Sequence, residues 1–398
     1  RRIHFLFKSI IIYFFLLVLL RILFFIIFNS ESETYTLGSL IKALFIGIRF
    51  DLRLAVLVNF PLMIFCTMPI VNVVRSIWVR RISNLYIYLF TGLLLLFYSV
   101  DMGHYSYLSR RVDVSVLRFL ENPQISAQMV WESYPVIIIL ILLLFIFIGF
   151  KLIYNMVPAI LLTTPQVKTA RRKFLEFIIS SLIILFSAWG TLKQYPLRWS
   201  DAFFSNNSFI SALGLNPILY YSDTRRFARD DFSMDKAKEY HQDIIDFLHI
   251  NNQDPERLNY WRYVAPLDHP SQSPNIVIIF LESVGANRLS ILGNPLNATP
   301  NLDQIIEEGI FFKRFYVPMV GTARSVFTMV TGIPDVARIK TSSRNPRINK
   351  QYSIINDFKG YEKHYIMGGS AGWANIRGFL QLNIPDLSIT ELDDLKSP

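Results

Sequence analysis

The first half of the chain is written in long apolar runs with few charges, and the second half alternates like a globular protein. Five stretches, residues 5–28, 52–74, 85–101, 135–157 and 174–193, are each close to twenty residues long and nearly free of charge. About twenty such residues in a helix cross roughly 30 Å of hydrocarbon, so the pattern predicts five spans. The loop at 102–134 mixes charges with Tyr105, Tyr107, Leu117, Phe119, Trp131 and Tyr134, as an interfacial aromatic belt does, and Asn122–Pro123 marks a helix break within it. After the fifth span, residues 194–227 interrupt apolar residues with Ser, Asn, Gly and Pro, which predicts short interfacial helices. Residues 233–249 place Ala237, Tyr240, Ile244, Phe247 and Leu248 at steps of three and four and predict an amphipathic helix. The polar run at 266–274 reads as a linker.

Beyond the linker the period changes again. Residues 275–281 form a continuous apolar run that ends abruptly at Glu282 and Ser283, the pattern of a buried central strand of a parallel sheet. Thr299 followed by Pro300 predicts a helix start, and Gly309 its end. "IFFKRFYV" predicts a second strand, stopped at Pro318. A helix then opens at Gly321 and Thr322, turns Val326, Met329 and Val330 to a core, and closes at Gly332 and Pro334. The expected architecture is a polytopic α-helical membrane domain of five spans (1–193), interfacial helices and linker (194–273), and the N-terminal part of an extracytoplasmic α/β domain (274–398).

Composition supports this division. The chain has 398 residues, 52% of them hydrophobic, which is too apolar for ordinary soluble domains. Its formal charge of +10 would suit nucleic acid, but much of the excess sits in short clusters between apolar runs: Arg75, Arg80 and Arg81, then Lys168, Arg171, Arg172 and Lys173. That distribution predicts a cytoplasmic N-terminus and two cytoplasmic loops, with no nucleic-acid partner, and an odd number of spans puts everything after Lys193 outside. The single cysteine, Cys66, excludes a disulfide framework and a thiolate metal site and reads as lipid-facing or helix-packing filler. Arg49, Asp51 and Arg53 at the mouth of an apolar segment serve either structural pairing or lipid head-group contact.

Two positions carry candidate chemistry. Glu282 at the carboxyl end of a strand sits where open α/β sheets bind ligands, and a carboxylate there needs either a cation or an arginine partner. Thr322 at a helix N-terminus is placed either to attack a phosphorus atom, with backbone N–H groups stabilising the adduct, or merely to cap the helix. Arg324 adds a fork for phosphate oxygens.

The ordered set "PNIVIIFLES", "TPNLDQIIEEGIFFKRFYV" and "VGTARSVFTMVTGIP" after five spans resembles the lipoteichoic acid synthase and membrane phosphoglycerol transferase family, within the alkaline phosphatase and sulfatase superfamily. The resemblance implies a bacterial inner-membrane transferase with an extracytoplasmic catalytic domain. It implies a divalent metal, usually Mn²⁺ with Mg²⁺ or Zn²⁺ as alternatives, held by Glu282 and by the nucleophile Thr322. The implied donor is a phosphatidylglycerol-like lipid, and the implied acceptor a glycan or glycerophosphate polymer. "YEKHYIMGGSAGWANIRGF" resembles the family's strand, glycine turn and helix, which implies that Trp373, Asn375 and Arg377 hold the head group; the alternative is Trp373 as core and Arg377 as a surface charge.

The chain also departs from the family. Many relatives carry Asp where it has Ser370, and the family completes its metal site with an Asp-His pair that nothing after Arg377 resembles. Asp268 and His269 precede the first strand and read as linker. The chain is therefore expected to be a C-terminally truncated piece with an incomplete metal site. A membrane phosphoethanolamine transferase is the nearest rival, although those enzymes usually carry several periplasmic cysteines. A sulfatase would need a Cys or Ser at position 322 for conversion to formylglycine. A non-catalytic membrane scaffold that retains the fold is the alternative from a different class.

Overall fold

The computed structural model describes residues 2–29, 35–67, 76–120, 122–163, 170–191, 196–205, 207–227, 233–250, 256, 258–260, 263, 265, 274–317, 319–337, 341–345 and 350–395. In chain order the helices are α1 (Arg2–Phe28), α2 (Leu37–Val58), α3 (Phe60–Thr67), α4 (Ile77–Leu108), α5 (Pro123–Ser133), α6 (Val136–Thr163), α7 (Ala170–Trp189), α8 (Ser208–Gly214), α9 (Pro217–Thr224), α10 (Met234–Glu239), α11 (His241–Leu248), α12 (Pro300–Glu308), α13 (Thr322–Thr331), α14 (Ile376–Asn383) and α15 (Leu392–Leu395). Two strands, β1 (Lys363–Ile366) and β2 (Leu387–Thr390), pair in parallel with Lys363 opposite Leu387 and Ile366 opposite Thr390. The chain divides into two compact units, Arg1–Ala228 together with Pro318–Pro398, and Arg229–Val317. The linker residues Asp268 and His269 lie outside the described residues, as do the basic-loop residues Arg75 and Lys168.

Among the described residues of the first unit, three helices are long and apolar enough to cross a membrane, over Ile3–Phe28, Ile77–Leu108 and Val136–Met156. The apolar run expected at 52–74 is divided differently. Helix α2 starts at Leu37, because Lys42, Arg49, Asp51 and Arg53 hid its helical continuity from a hydropathy reading, and it stops at Val58. Pro61, lacking an N–H and colliding with the carbonyl of Leu57, forces the break at Asn59 before α3 begins. Pro123 likewise opens α5 from its first turn, so the expected break in the 102–134 loop is a helix start.

The helical core is built on α1. Tyr13 meets Phe150 edge-on at 5.1 Å and donates its hydroxyl to the Ile87 carbonyl at 2.9 Å. Cys66 is buried among these side chains as packing filler. Charged groups are buried as pairs. Asp51, 0% exposed, receives Nε and Nη2 of Arg21 at 2.7 Å each and Nδ2 of Asn216 at 2.9 Å. Asp101 pairs with Arg111, whose Nε donates to the Ala212 carbonyl at 3.0 Å, while Arg21 reaches the Leu213 and Leu215 carbonyls. The cations thus satisfy the C-terminal carbonyls of α8 and bind it to α1 and α4. The second core of this unit packs α13 against α14, with the Phe327 and Phe379 rings 5.0 Å apart.

The second unit holds α10, α11 and α12. The helix expected over 233–249 is broken at Tyr240, and its buried residues are His241 and Ile245; Tyr240 and Phe247 are exposed, so the apolar stripe is not the face that packs. Helix α12 begins at Pro300 and ends at Gly309 as expected, but the Thr299 hydroxyl accepts from Ser290 N at 3.1 Å rather than capping the helix. Residues 275–281 and 310–317 form no strand, and the second segment turns at Lys313–Arg314: Val277 and Ile279 are 81% and 76% exposed, and Ile310, Phe315 and Tyr316 are likewise open. A strand exists only through its ladder partner, and neither segment finds one among the described residues.

Candidate functional site

The first unit carries five of the six sequence-predicted site residues on one small framework. β1 runs into a Gly368–Gly369 turn, a helical turn at 373–375, then α14 and β2, a β–α–β crossover whose loop 367–375 lies at the carboxyl end of β1. Ligands bind at such strand ends in open α/β sheets. Ala374 and Asn375 both take left-handed φ values, 55° and 62°. Asn tolerates that conformation and Ala pays for it, so the packing around them must hold the bend.

That packing is visible. Asn375 is 3% exposed, donates Nδ2 to the Ser343 carbonyl, and leaves its Oδ1 with no hydrogen-bond partner among the described residues. Ser343 in turn donates to the Ala374 carbonyl at 2.7 Å. Trp373 is 39% exposed. Arg377 pairs with Glu391, whose second oxygen accepts from Ala371 N, so one carboxylate is cradled between the guanidinium and the turn. Burial lowers the Arg377 pKa from its ordinary value, while Asp394 and Asp201 act to raise it.

Thr322 is the first residue of α13, half-buried, and follows Gly321, whose φ of 123° suits glycine. The Gly321 carbonyl accepts from Arg324 N at 3.1 Å and Ser325 N at 3.2 Å, and the Ser325 hydroxyl lies 3.5 Å from the same oxygen. The ten-residue helix therefore starts sharply at Thr322, with Ala323, Val326, Phe327 and Val330 buried beneath it. Met329 is only partly buried, so Phe327 takes part of the core role expected of it. Arg324 does not point an open fork to solvent. It donates to the Asp335 carbonyl at 3.1 Å and lies 3.9 Å from the Asp335 carboxylate. Asp335, 1% exposed, also receives Ser342 N at 2.8 Å and the Ser342 hydroxyl at 2.6 Å.

Glu282 lies in the second unit, exposed, in a turn where Ser283 has φ 61°. Glu282 and Thr322 offer hard oxygen donors that match Mg²⁺ or Mn²⁺ in kind. Among the described residues no three His, Cys, Asp or Glu side chains converge, so the residues described supply at most part of a coordination sphere.

Glu391, Asp335 and Ser343 are supporting residues that the sequence reading did not single out. Glu391 carried a usable signal, because it follows a strand directly just as Glu282 follows the run at 275–281. Asp335 and Ser343 carried none, since both sit in loops whose partners are set by folding.

Comparison with known proteins places part of the chain. The sulfatase family model matches residues 274–385. Arylsulfatase A of Homo sapiens is 40% identical over 62 residues, which are 16% of this chain and 12% of that protein. N-acetylgalactosamine-6-sulfatase of Canis lupus familiaris is 34% identical over 79 residues, 19% of this chain and 15% of that protein. The chain thus spans 12 to 15% of the length of these relatives. No solved structure matches it. Residues 274–385 are a sulfatase-type domain of the alkaline phosphatase superfamily, whose members are enzymes and generally use a divalent metal.

Proposed function

We propose that this chain acts in a membrane-anchored phosphoglycerol-type transferase of the bacterial inner membrane, with the sulfatase-type domain extracytoplasmic. The observation that carries the reading is Thr322 as the first residue of α13, behind a glycine with φ 123°, in a chain whose N-terminal part has three helices long and apolar enough for a bilayer. A hydroxyl there stands beside a helix N-terminus, which favours an anionic adduct. Five spans over residues 1–193, interfacial helices and linker over 194–273, and the catalytic segment from 274 complete the proposed layout.

In the proposed reaction the Thr322 Oγ attacks the phosphorus of a phosphatidylglycerol-like donor. A P–O bond forms, the P–O bond to diacylglycerol breaks, and the departing alkoxide takes up a proton as the threonine hydroxyl loses one. The hydroxyl of a glycan or glycerophosphate acceptor then attacks the same phosphorus, the bond to Thr322 breaks, and the threonine hydroxyl is regenerated. A divalent cation, Mn²⁺ in this proposal with Mg²⁺ or Zn²⁺ as alternatives, would supply Lewis-acid polarisation of the phosphoryl group when held through Glu282 and Thr322. In this reading Asn375 belongs to the head-group site by its position in the turn before α14, where it is buried and holds the Ser343 carbonyl. Trp373 offers a half-exposed apolar face, and Arg324 and Arg377 supply positive charge whose forks are tied to Asp335 and Glu391.

Sulfate-ester hydrolysis is the second reading, favoured by the names of the curated relatives. One experiment separates the two. The enzyme containing this chain is reconstituted in vesicles with glycerol-labelled phosphatidylglycerol, and label on protein and release of diacylglycerol are followed beside turnover of an aryl sulfate. Transfer predicts label on Thr322 and no turnover by Thr322→Ala. Label elsewhere, retained turnover by Thr322→Ala, or cleavage of the sulfate ester alone would overturn it.

A further inference from the structure

Two arginines of α2 stand apart from the buried ion pairs of the helical unit. Asp51 is taken by Arg21, and Asp101 by Arg111. Arg49 and Arg53, one helical turn apart on α2, have no carboxylate partner among the described residues: Arg49 Nε donates to the Gly190 oxygen at 2.7 Å with its guanidinium 5.5 Å from the Phe45 ring, and Arg53 Nη1 donates to the Leu197 oxygen. The Arg53 Nε is buried with no acceptor among the described residues. The sequence between those two carbonyls, residues 191–196, contains Lys193 and no acidic residue. Positions i and i+4 share a helix face, so the two guanidinium groups lie on one side of α2.

The level of this layer is set by helix geometry. At a rise of about 1.5 Å per residue, Arg21 stands roughly 27 Å from Ile3 along α1, and Asp101 roughly 31 Å from Arg80 along α4. Both distances are close to one hydrocarbon thickness, about 30 Å. Arg21 holds Asp51 directly, and Asp51 lies between Arg49 and Arg53 on α2. The two arginines are therefore at the depth of the outer-leaflet head groups. Two part-buried guanidinium groups at that depth, with no carboxylate partner among the described residues, offer their remaining donors to an anion of the head-group layer. Guanidinium matches a phosphate oxygen pair in geometry and charge.

We propose that Arg49 and Arg53 form a head-group site for an anionic phospholipid of the outer leaflet, recognised through its phosphodiester. This inference rests on the membrane-spanning reading of the helical unit and not on the chemistry at Thr322. The site retains an anionic lipid at the side of the bundle, where acyl chains run inward past Arg53 along the apolar surface that Leu57 and Phe60 leave exposed.

The test uses the full chain in nanodiscs of phosphatidylglycerol mixed with phosphatidylcholine, released into detergent and weighed by native mass spectrometry. Wild type should retain phosphatidylglycerol in preference to phosphatidylcholine. Arg49→Gln with Arg53→Gln should lower that retention roughly tenfold or more, the scale of losing charge-assisted hydrogen bonds. Arg49→Lys with Arg53→Lys, which keeps both charges but loses the forks, should retain phosphatidylglycerol less than wild type and more than the double Gln variant. Added glycerol phosphate separates lipid from free phosphate: failure to displace the lipid supports a lipid site, and full displacement overturns it in favour of a soluble phosphate ligand. Thr322→Ala should retain lipid as wild type does, so loss of transfer and loss of retention report separately. Equal retention of phosphatidylglycerol by wild type and the double Gln variant, with both monodisperse and melting alike, would refute the site; so would equal retention of the two lipids by wild type.

Discussion

The Asp335 carboxylate, 1% exposed, accepts from Ser342 N and the Ser342 hydroxyl, and the Asp335 carbonyl accepts from Arg324, so this one residue ties the loop after α13 to the helix that starts with Thr322. Removing the carboxylate by Asp335→Ala leaves a buried N–H and a hydroxyl without their acceptor, while the carbonyl that holds Arg324 remains, and is expected to destabilise this unit by about 2 kcal/mol or more. Asp335→Asn keeps one acceptor oxygen and should lose less; thermal melts of the two variants in detergent give the comparison. At Arg377 the expectation is kinetic. Arg377→Lys keeps the charge but loses the fork, so KM for the lipid donor should rise roughly tenfold, with labelling of Thr322 still observed. Unchanged KM would leave Arg377 with a structural role, as partner of Glu391 only. Thr322, Arg324, Trp373, Asn375 and Arg377 were all found from motif and position, whereas the carboxylates that hold two of them were not. Asp335 and Glu391 acquire their roles from contacts 11 and 14 residues away, across turns whose shape no local pattern states.

Helices show how packing decides the meaning of a residue that sequence leaves neutral. A Cβ added to Gly47 would stand 2.4 Å from the Arg21 guanidinium, while one added to Gly92 meets nothing within 4 Å. Gly92→Ala should be neutral or stabilise α4 by about 0.5–1 kcal/mol through lower chain entropy. Gly47→Ala should push Arg21 off Asp51 and leave a buried charge unpaired, a loss of about 3–5 kcal/mol. Detergent melts of the pair check this, and a Gly47→Ala protein as stable as wild type would show that Arg21 can be repositioned freely. Helix limits were legible where the signal is local: Pro300 and Gly309 bound α12, Gly321 and Gly332 bound α13, and the glycine turn before α14 follows β1. The start of α2 was not, because its charges read as an end to the apolar run and only Arg21 explains them. The runs at 275–281 and 310–317 read as strands from their side chains, yet a strand also needs a neighbour aligned along it, and that is a property of topology.

At the scale of the whole molecule, the basic loops predict that reporter fusions at about Arg80 and about Ser200 face opposite sides of the membrane, the first cytoplasmic and the second outside. The same side for both would rule out the proposed orientation and with it an extracytoplasmic sulfatase-type domain. Hydropathy by itself determined that the N-terminal half is a bundle of long apolar helices, because a stretch of about twenty apolar residues has few other stable states. Motif order determined that a sulfatase-type segment follows, with residues 274–385 matching that family. Neither determined how the buried charges are shared. Asp51 and Arg21 are thirty positions apart, Arg111 and the α8 carbonyls about a hundred, and Asn216 reaches Asp51 across 165 residues. Which cation neutralises which carboxylate depends on helices meeting at one depth, and pairing energy falls away within a few ångströms, so only the tertiary structure fixes it.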